Sequence, residues 1–526
     1  MSLLGSLLPS PSMKQGRLNR PLGAFAAAVM FGALIGTALP TVAVAQGCGF
    51  NSDVDFNGDG FTDVAISDPD ATVAGVGSSG RVHIVYGGNV GTQTISPLEP
   101  FIPDEVKTGE RFGHVVDTYD ADLDGCDDLV VGIPDHTVDG KTSAGAVLVI
   151  HGSPGGLGVG QVRLIRQESI EFTSAAGDEF GYSISAGNDD AGNPFLLVGA
   201  PGEDIGDAVD AGAAYYIYPA DSCEEPAWSM FQGRISGDTA EAGDRYGAAV
   251  AADPRHLVVG VPFEDVGDEV DAGMAHVYRH GRSAPSVMVV CSDEPAWIAN
   301  LDQEGPGQGG IAEAGDLYGW SVDTVRFTDT DDREKSMLAV GSPGEALGVH
   351  ASAGRVVSTL AIDSEGSVEE FASVHQAVEG VYGAAEPGDQ FGWKVALVNR
   401  NPGAIAAWDD VLLTVGIPGE EGTQEDAGAI QIFSAITAPG DHDMWLRLNE
   451  QPGLTWTPTQ NARLGESFEV TATHLMIGDP GGAEPAVYAV PWTNLTHGTT
   501  DAVRVFSPGT DGIPVSGVGS FGISIV

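Results

Sequence analysis

The sequence predicts an all-β chain folded as a seven-bladed β-propeller and closed by a C-terminal strand that completes blade one. Three observations carry that prediction. A short apolar strand ending in Gly-x-Pro, or a close variant, recurs seven times. An aromatic-Gly pair opens another apolar strand upstream of most copies. The strand missing before the first copy stands at the far end of the chain.

The seven copies read Ile66-Ser67-Asp68-Pro69, Val131-Gly132-Ile133-Pro134, Val198-Gly199-Ala200-Pro201, Val259-Gly260-Val261-Pro262, Val340-Gly341-Ser342-Pro343, Val415-Gly416-Ile417-Pro418 and Ile477-Gly478-Asp479-Pro480. The aromatic-Gly pairs are Phe112-Gly113, Phe180-Gly181, Tyr246-Gly247, Tyr318-Gly319 and Phe391-Gly392. The seventh unit offers Ser467-Phe468-Glu469 at this point, so its glycine is expected to be lost. Downstream of Gly-x-Pro come an acidic loop, an Ala-Gly pair and an alternating strand such as Ala213–Tyr218 or Met274–Tyr278. Period-two alternation of aromatic and β-branched residues marks half-buried strands. Each unit therefore shows three strands and has room for a fourth. Successive copies lie 61 to 81 residues apart without helical periodicity, which is the pattern of propeller blades.

Closure follows from the two ends. Between residue 46 and Ser67 no aromatic-Gly strand is present, whereas Ser520-Phe521-Gly522-Ile523-Ser524-Ile525-Val526 supplies one. Phe521 to Val526 should thus form the innermost strand of blade one. A closed ring leaves no blade edge exposed, as an open repeat array would.

An aromatic-Gly strand, an optional Asp-rich loop and a Gly-x-Pro strand together resemble the FG-GAP repeat of integrin α-subunit head domains and of exported bacterial proteins. The resemblance covers residues 46–526 and implies a propeller with its Asp-rich loops on one face. The Gly-x-Pro loops would lie on the other.

Two of the Asp-rich loops have the spacing of a calcium site. The first is Asp55-Phe56-Asn57-Gly58-Asp59-Gly60-Phe61-Thr62-Asp63, and the second is Asp120-Ala121-Asp122-Leu123-Asp124-Gly125-Cys126-Asp127-Asp128. Both put oxygen side chains at positions one, three, five and nine, glycine at six and a backbone carbonyl, of Phe61 or Cys126, at seven. Calcium takes six to eight hard oxygen ligands, and this spacing wraps them around one ion. Asp, Asn and Gly also favour plain turns. Identical offsets in consecutive repeats favour two Ca2+ sites, in blades one and two. Asp53 is a further carboxylate expected beside the first loop. Blade three has only Asn188-Asp189-Asp190, and in blade five Arg333 and Lys335 intrude among Asp329, Asp331 and Asp332. Integrins carry their metal loops in later blades, so adhesion to an integrin ligand is not carried over.

Compartment and charge narrow the function classes. Lys14, Arg17 and Arg20 precede an apolar run from Pro21 to about Leu39, followed by Ala43-Val44-Ala45, so residues 1–45 read as a signal peptide. No later segment is apolar for long enough to span a bilayer. The expected location is extracellular or cell-surface, or periplasmic if the source has an outer membrane. The chain holds 74 acidic against 23 basic residues, and residues 1–45 contain no Asp or Glu. Such a balance excludes nucleic acid as a partner. Four cysteines in an exported chain predict disulfides. Sequence alone allows three pairings; Cys48 shortly precedes the first loop and Cys126 lies in the second, which makes them the natural first pair, and Cys223 with Cys291 follows by elimination.

No Gly-x-Ser-x-Gly, His-Glu-x-x-His or phosphate-binding glycine loop is present. The reading is a monomeric, non-enzymatic interaction or adhesion-type module that binds a protein or glycan on the face opposite the calcium loops. The acidic stretches after Gly-x-Pro read as solvated surface or as part of that recognition face. The alternatives are a secreted polysaccharide hydrolase or lyase with its site in the channel, and a purely structural surface protein.

Overall fold

The computed structural model describes residues 48, 53–88, 90–103, 105–218, 227–234, 238–281, 293–304, 310–363, 366–422, 424–446, 459–515 and 520–526. Its strands form seven sheets, six of four strands and one of three. Blade two shows the plan. Val116–Tyr119 is the inner strand, and Asp128–Ile133, Ala146–Ile150 and Val162–Ile165 follow it outward, each antiparallel to the last. The second and third strands are buried along their whole length, while the outer one is only half-buried. Their near-continuous Val, Leu and Ile content follows from that, because both faces of the sheet pack on neighbouring blades. Ile84, Phe112, Val131 and Leu148, for example, form one buried cluster shared by blades one and two.

The inner strands of blades three to seven are Ile184–Asn188, Ala249–Ala252, Ser321–Thr328, Val395–Asn399 and Phe468–Val470. Each runs from the aromatic-Gly end towards the end that carries the Asp-rich loop in blade two. The two motifs therefore lie on opposite faces of the ring.

Blade one is built from both ends of the chain. Val64–Asp68, Arg81–Tyr86 and Gly91–Ile95 make three strands. The fourth place is taken by the C-terminal residues. Gly522 N donates to Ser67 O at 2.8 Å, Ser67 N to Ser524 O at 3.0 Å, Ala65 N to Val526 O at 2.8 Å and Val526 N to Ala65 O at 3.0 Å. Phe521 and Ile525 are buried with Ile66, Val85, Met476 and Val487 between blades seven and one.

The neighbouring blades touch through bare backbone. A Cβ on Gly199 would be driven into the Gly247 carbonyl of the next blade, and one on Gly416 into that of Gly465. This corrects the reading of blade seven. Its glycine is not lost: Leu464-Gly465 is the pair, with Leu464 bridging Gly428 in parallel as Phe391 bridges Gly354. Phe468 lies three residues further on, buried on the inner strand. Among the described residues no helix is long and apolar enough to cross a membrane.

Removing residues 521–526 should open the ring and lower the melting temperature far more than trimming a frayed terminus would. Phe521→Ala alone should cost about 3–5 kcal/mol, as for other buried Phe side chains, read by denaturant melts. A truncated chain that melts within a degree or two of the full one would refute closure by this strand.

Candidate metal centres

The two nine-residue loops adopt the same hydrogen-bonding pattern. In blade one Asp55 Oδ1 accepts the Asp59 amide at 3.2 Å, and its Oδ2 accepts that of Gly60 at 2.8 Å. Asn57 Oδ1 accepts the Asp59 amide at 2.9 Å, and Asp59 Oδ1 that of Phe61 at 2.9 Å. In blade two Asp120 takes the amides of Asp124 and Gly125 at 3.1 and 2.9 Å. Asp122 takes that of Asp124 at 3.2 Å, and Asp124 that of Cys126 at 2.9 Å. The ninth residue closes each loop. Asp63 accepts from Phe56 and Gly87, and Asp128 from Ala121 and Gly152, all at 2.7–2.9 Å. Every predicted side chain of both sets is thus gathered into its loop. Asp53 is not: its Oδ2 accepts from Thr62 at 3.3 Å and from Thr473 of blade seven at 2.8 Å.

The donor set fits calcium. Each loop offers several carboxylate oxygens, and among the described residues no Lys or Arg is paired with Asp55, Asp59 or Asp63. Burial, with the charges of Asp55 and Asp59 added, pushes the Asp63 carboxyl up to about 7. A divalent ion would relieve that crowding. Blade five makes the contrast. There Arg333 and Lys335 reach Asp329 at 3.0 and 3.3 Å, and the backbone amides of Arg333 and Asp331, with these two cations, hold its carboxyl down to about 2. The chain supplies its own cation in that loop.

The loops are also fastened to each other. Asp127 Oδ2 accepts the Asp55 amide at 2.7 Å, and the Asp127 amide donates to Asp55 O at 3.1 Å. Cys48 is disulfide-bonded to Cys126, with Cα atoms 4.9 Å apart. Its backbone lies across both loops. A Cβ on Gly58 would come within 2.7 Å of Cys48 Cα, and one on Gly125 within 2.7 Å of Cys48 O. Gly58 and Gly125 also have φ of +65° and +90°, so both space and conformation require glycine there. Cys223 and Cys291, expected as a second pair, lie outside the described residues.

The opposite face holds a feature that the sequence did not reveal. Four glutamates that follow Gly-x-Pro turn inward instead of lying on a solvated surface. Glu203, Glu264, Glu345 and Glu420 accept from the side-chain amides of Gln167, Gln232, Gln303 and Gln376 at 2.5–2.7 Å. Beside them lie Asp178, Asp244, Asp316 and Asp389, all buried, each two residues before an aromatic-Gly pair. Burial pushes these carboxyls up, Asp316 and Asp389 to about 7, with the facing glutamate charge adding to the effect. The signal available in sequence was the recurrent Asp-x-aromatic-Gly with Glu two residues after the Pro; the glutamines come from separate segments.

The ring encloses a cavity of about 830 Å3 lined by the inner strands. Asp117, Asp323, Glu469 and Lys394 face it, and none of its described lining residues is aromatic. Asp117 Oδ2 accepts the Ala186 amide at 2.8 Å, and Asp323 Oδ2 the Leu397 amide at 2.6 Å, so each ties its blade to the next. Burial pushes both carboxyls up to about 7.

Residues 53–85 match the FG-GAP repeat. Mouse phosphatidylinositol-glycan-specific phospholipase D is 28% identical over 247 residues, covering 44% of this chain and 26% of the phospholipase. Integrin alpha-PS2 of Drosophila melanogaster is 35% identical over 161 residues, covering 29% of this chain and 11% of the integrin. The chain spans about a quarter or less of the length of these relatives. Among solved structures, the periplasmic gluconolactonase of Pseudomonas aeruginosa aligns over 88% of this chain with 12% identity and a TM-score of 0.42. The chain carries the FG-GAP repeat and is similar to integrin α-subunits.

Asp389 gives a pH test. Its folded pKa lies above the value of about 3.9 for an unfolded Asp, so the folded chain binds the extra proton between about pH 4 and 7. Stability from this group is therefore present below that window and lost as pH rises through it. Asp389→Asn should gain on the wild type in melting temperature as pH is raised from 5 to 8. Parallel pH curves for the two proteins would contradict the assignment.

Proposed function

We propose that the chain is an exported, calcium-stabilised propeller that binds a protein or glycan on the face opposite its metal loops. Residues 1–45 act as the signal peptide, residues 46–526 form the propeller, and the calcium stiffens the seam between blades one and two. The observation that carries the binding half is the set of side chains that follow the aromatic-Gly pairs. His114, Tyr182, Trp320 and Trp393 lie one or two residues before their inner strands, at the face away from the loops. Two contacts join them in pairs, with ring centroids 5.0 Å apart for His114–Tyr182 and 4.8 Å for Trp320–Trp393. The guanidinium of Arg245 lies 5.9 Å from the Tyr182 ring, and that of Arg463 lies 5.4 Å from Trp393. Glu179 and Glu466 pair with these two arginines, so the feature that takes up a partner is the set of half-buried aromatic rings with guanidinium groups over two of them.

A hydrolase or lyase in the channel is the second reading, favoured by Asp117, Asp323 and Glu469. All three carboxylates are engaged by backbone amides, of Ala186, Leu397 and Val470, and the described walls offer no aromatic ring on which a sugar could stack. The interaction reading is therefore preferred.

Calcium at about 10 to 100 times its dissociation constant should stabilise the chain by roughly 1.4–2.7 kcal/mol per site. EDTA should lower the melting temperature, and Asp59→Ala and Asp124→Ala should each remove part of the calcium response. An unmoved melting temperature with both variants silent would dispose of the metal reading. On protein and glycan arrays, Trp393→Ala should lose the retained ligand while keeping the wild-type melting temperature. Retention unchanged by Trp320→Ala and Trp393→Ala would place the ligand elsewhere.

A further inference from the structure

The two loops match bond for bond, yet the residue that approaches them from the third strand differs. In each blade a glycine ends that approach by donating its amide to the ninth carboxylate: Gly87 to Asp63 at 2.7 Å, and Gly152 to Asp128 at 2.8 Å. The residue before the glycine is Tyr86 in blade one and His151 in blade two. Tyr86 points away from its loop. Its hydroxyl donates to Gln93 Oε1 at 2.7 Å and accepts the Leu157 amide at 3.0 Å. His151 points inward. Its Nδ1 lies 3.1 Å from Asp128 Oδ2 and 3.2 Å from Asp122 Oδ2, the ninth and third residues of the loop.

That spacing is informative. Two donor atoms each about 2.1–2.3 Å from one ion, and at right angles to each other, lie about 3.0–3.2 Å apart. A ring nitrogen at this separation from two loop oxygens therefore stands where a neighbouring ligand of the same ion would stand. The imidazole is also held in place. The side chain is 12% exposed, the His151 amide donates to Gln161 O at 2.9 Å, and Asp128 is fully buried. Cys126 supplies no thiolate, because it is bonded to Cys48.

We propose that His151 Nδ1 is a metal ligand of the blade-two loop, making it a mixed nitrogen–oxygen site for a divalent transition ion such as Mn2+ or Zn2+. The blade-one loop, with oxygen donors alone, prefers calcium, which the blade-two loop also takes but less tightly than a transition ion. The chemistry follows from ligand type: calcium takes oxygen, whereas imidazole suits first-row transition ions. The inference rests on the reading of these loops as metal sites. Its rival is that an imidazolium serves as the loop's own counter-ion, as Arg333 and Lys335 do in blade five. Under that rival, removing His151 would ease metal entry.

The test uses purified mature protein stripped with EDTA and carrying Asp59→Ala, so that blade two is read alone. Mn2+ is titrated by equilibrium dialysis, and the bound ion is probed by pulsed electron paramagnetic resonance for coupling to a coordinated 14N nucleus. The expected result is one Mn2+ bound more tightly than Ca2+, with nitrogen coupling. In His151→Gln the coupling should disappear and Mn2+ affinity should fall roughly tenfold or more, with calcium binding little changed. Nitrogen coupling needs no variant to fold, so the first measurement stands alone. Bound Mn2+ without nitrogen coupling, or an affinity unchanged or raised in His151→Gln, would overturn the proposal while leaving the loops as metal sites. Binding of neither Mn2+ nor Ca2+ in the presence of intact Asp59 would overturn both readings.

Discussion

Everything in this ring depends on a seam where backbone meets backbone with no side chain between. Six of the seven blades present the glycine of their Gly-x-Pro strand to the carbonyl of the next blade's aromatic-Gly glycine, from Gly132 against Gly181 round to Gly478 against Gly522, while blade one has Ser67 at that point. The Ala-Gly glycines form a second line of contact, Gly145 bridging Phe180 and Gly212 bridging Tyr246 in parallel. A Cβ at any of those six glycines would be driven into the neighbouring backbone and force the two blades apart. The aromatic side chain beside each seam then fills the space that opens outward from it, which is why Phe112, Phe180, Tyr246, Tyr318 and Phe391 are all fully buried.

That constraint explains what could be read in the sequence. A seam that demands glycine at fixed points writes itself into the chain as a repeat, so blade number, strand order and closure were all legible. Phe521-Gly522 could be assigned to blade one because no other segment carried the missing half of the motif. Blade seven was misread for the converse reason. Leu464 takes the aromatic's place and still bridges Gly428, since the seam needs the glycine of Gly465 and only an apolar neighbour beside it. A search keyed on the aromatic passes over it and stops at Phe468.

The two Asp-rich loops were legible because all the side chains they gather lie within nine residues. Contacts that come from other strands were not. His151 reaches the second loop from 23 residues beyond its last member, and nothing in Val149-Ile150-His151-Gly152 marks it. The inward glutamates are a like case. Glu264 and Glu420 read as members of exposed acidic runs, but Gln232 and Gln376 arrive from preceding segments and bury them. Charge counted along the chain thus overstates the charge on the surface. Several carboxyls that look solvated are held where burial favours their protonated form.

Among the described residues, several cross-links gather at blade one. Blade one is the only blade whose inner and second strands belong to opposite ends of the chain, so its closure rests on hydrogen bonds and packing instead of a hairpin. Around that blade are gathered the Cys48–Cys126 disulfide, the Asp55–Asp127 backbone pair, the Thr473–Asp53 bond to blade seven and both nine-residue loops. In blade five, where a hairpin joins the same two strands covalently, the corresponding loop is short and Arg333 and Lys335 neutralise its carboxylates. On the metal reading proposed above, ions in the two loops would brace the seam beside the blade whose inner and second strands come from opposite ends of the chain.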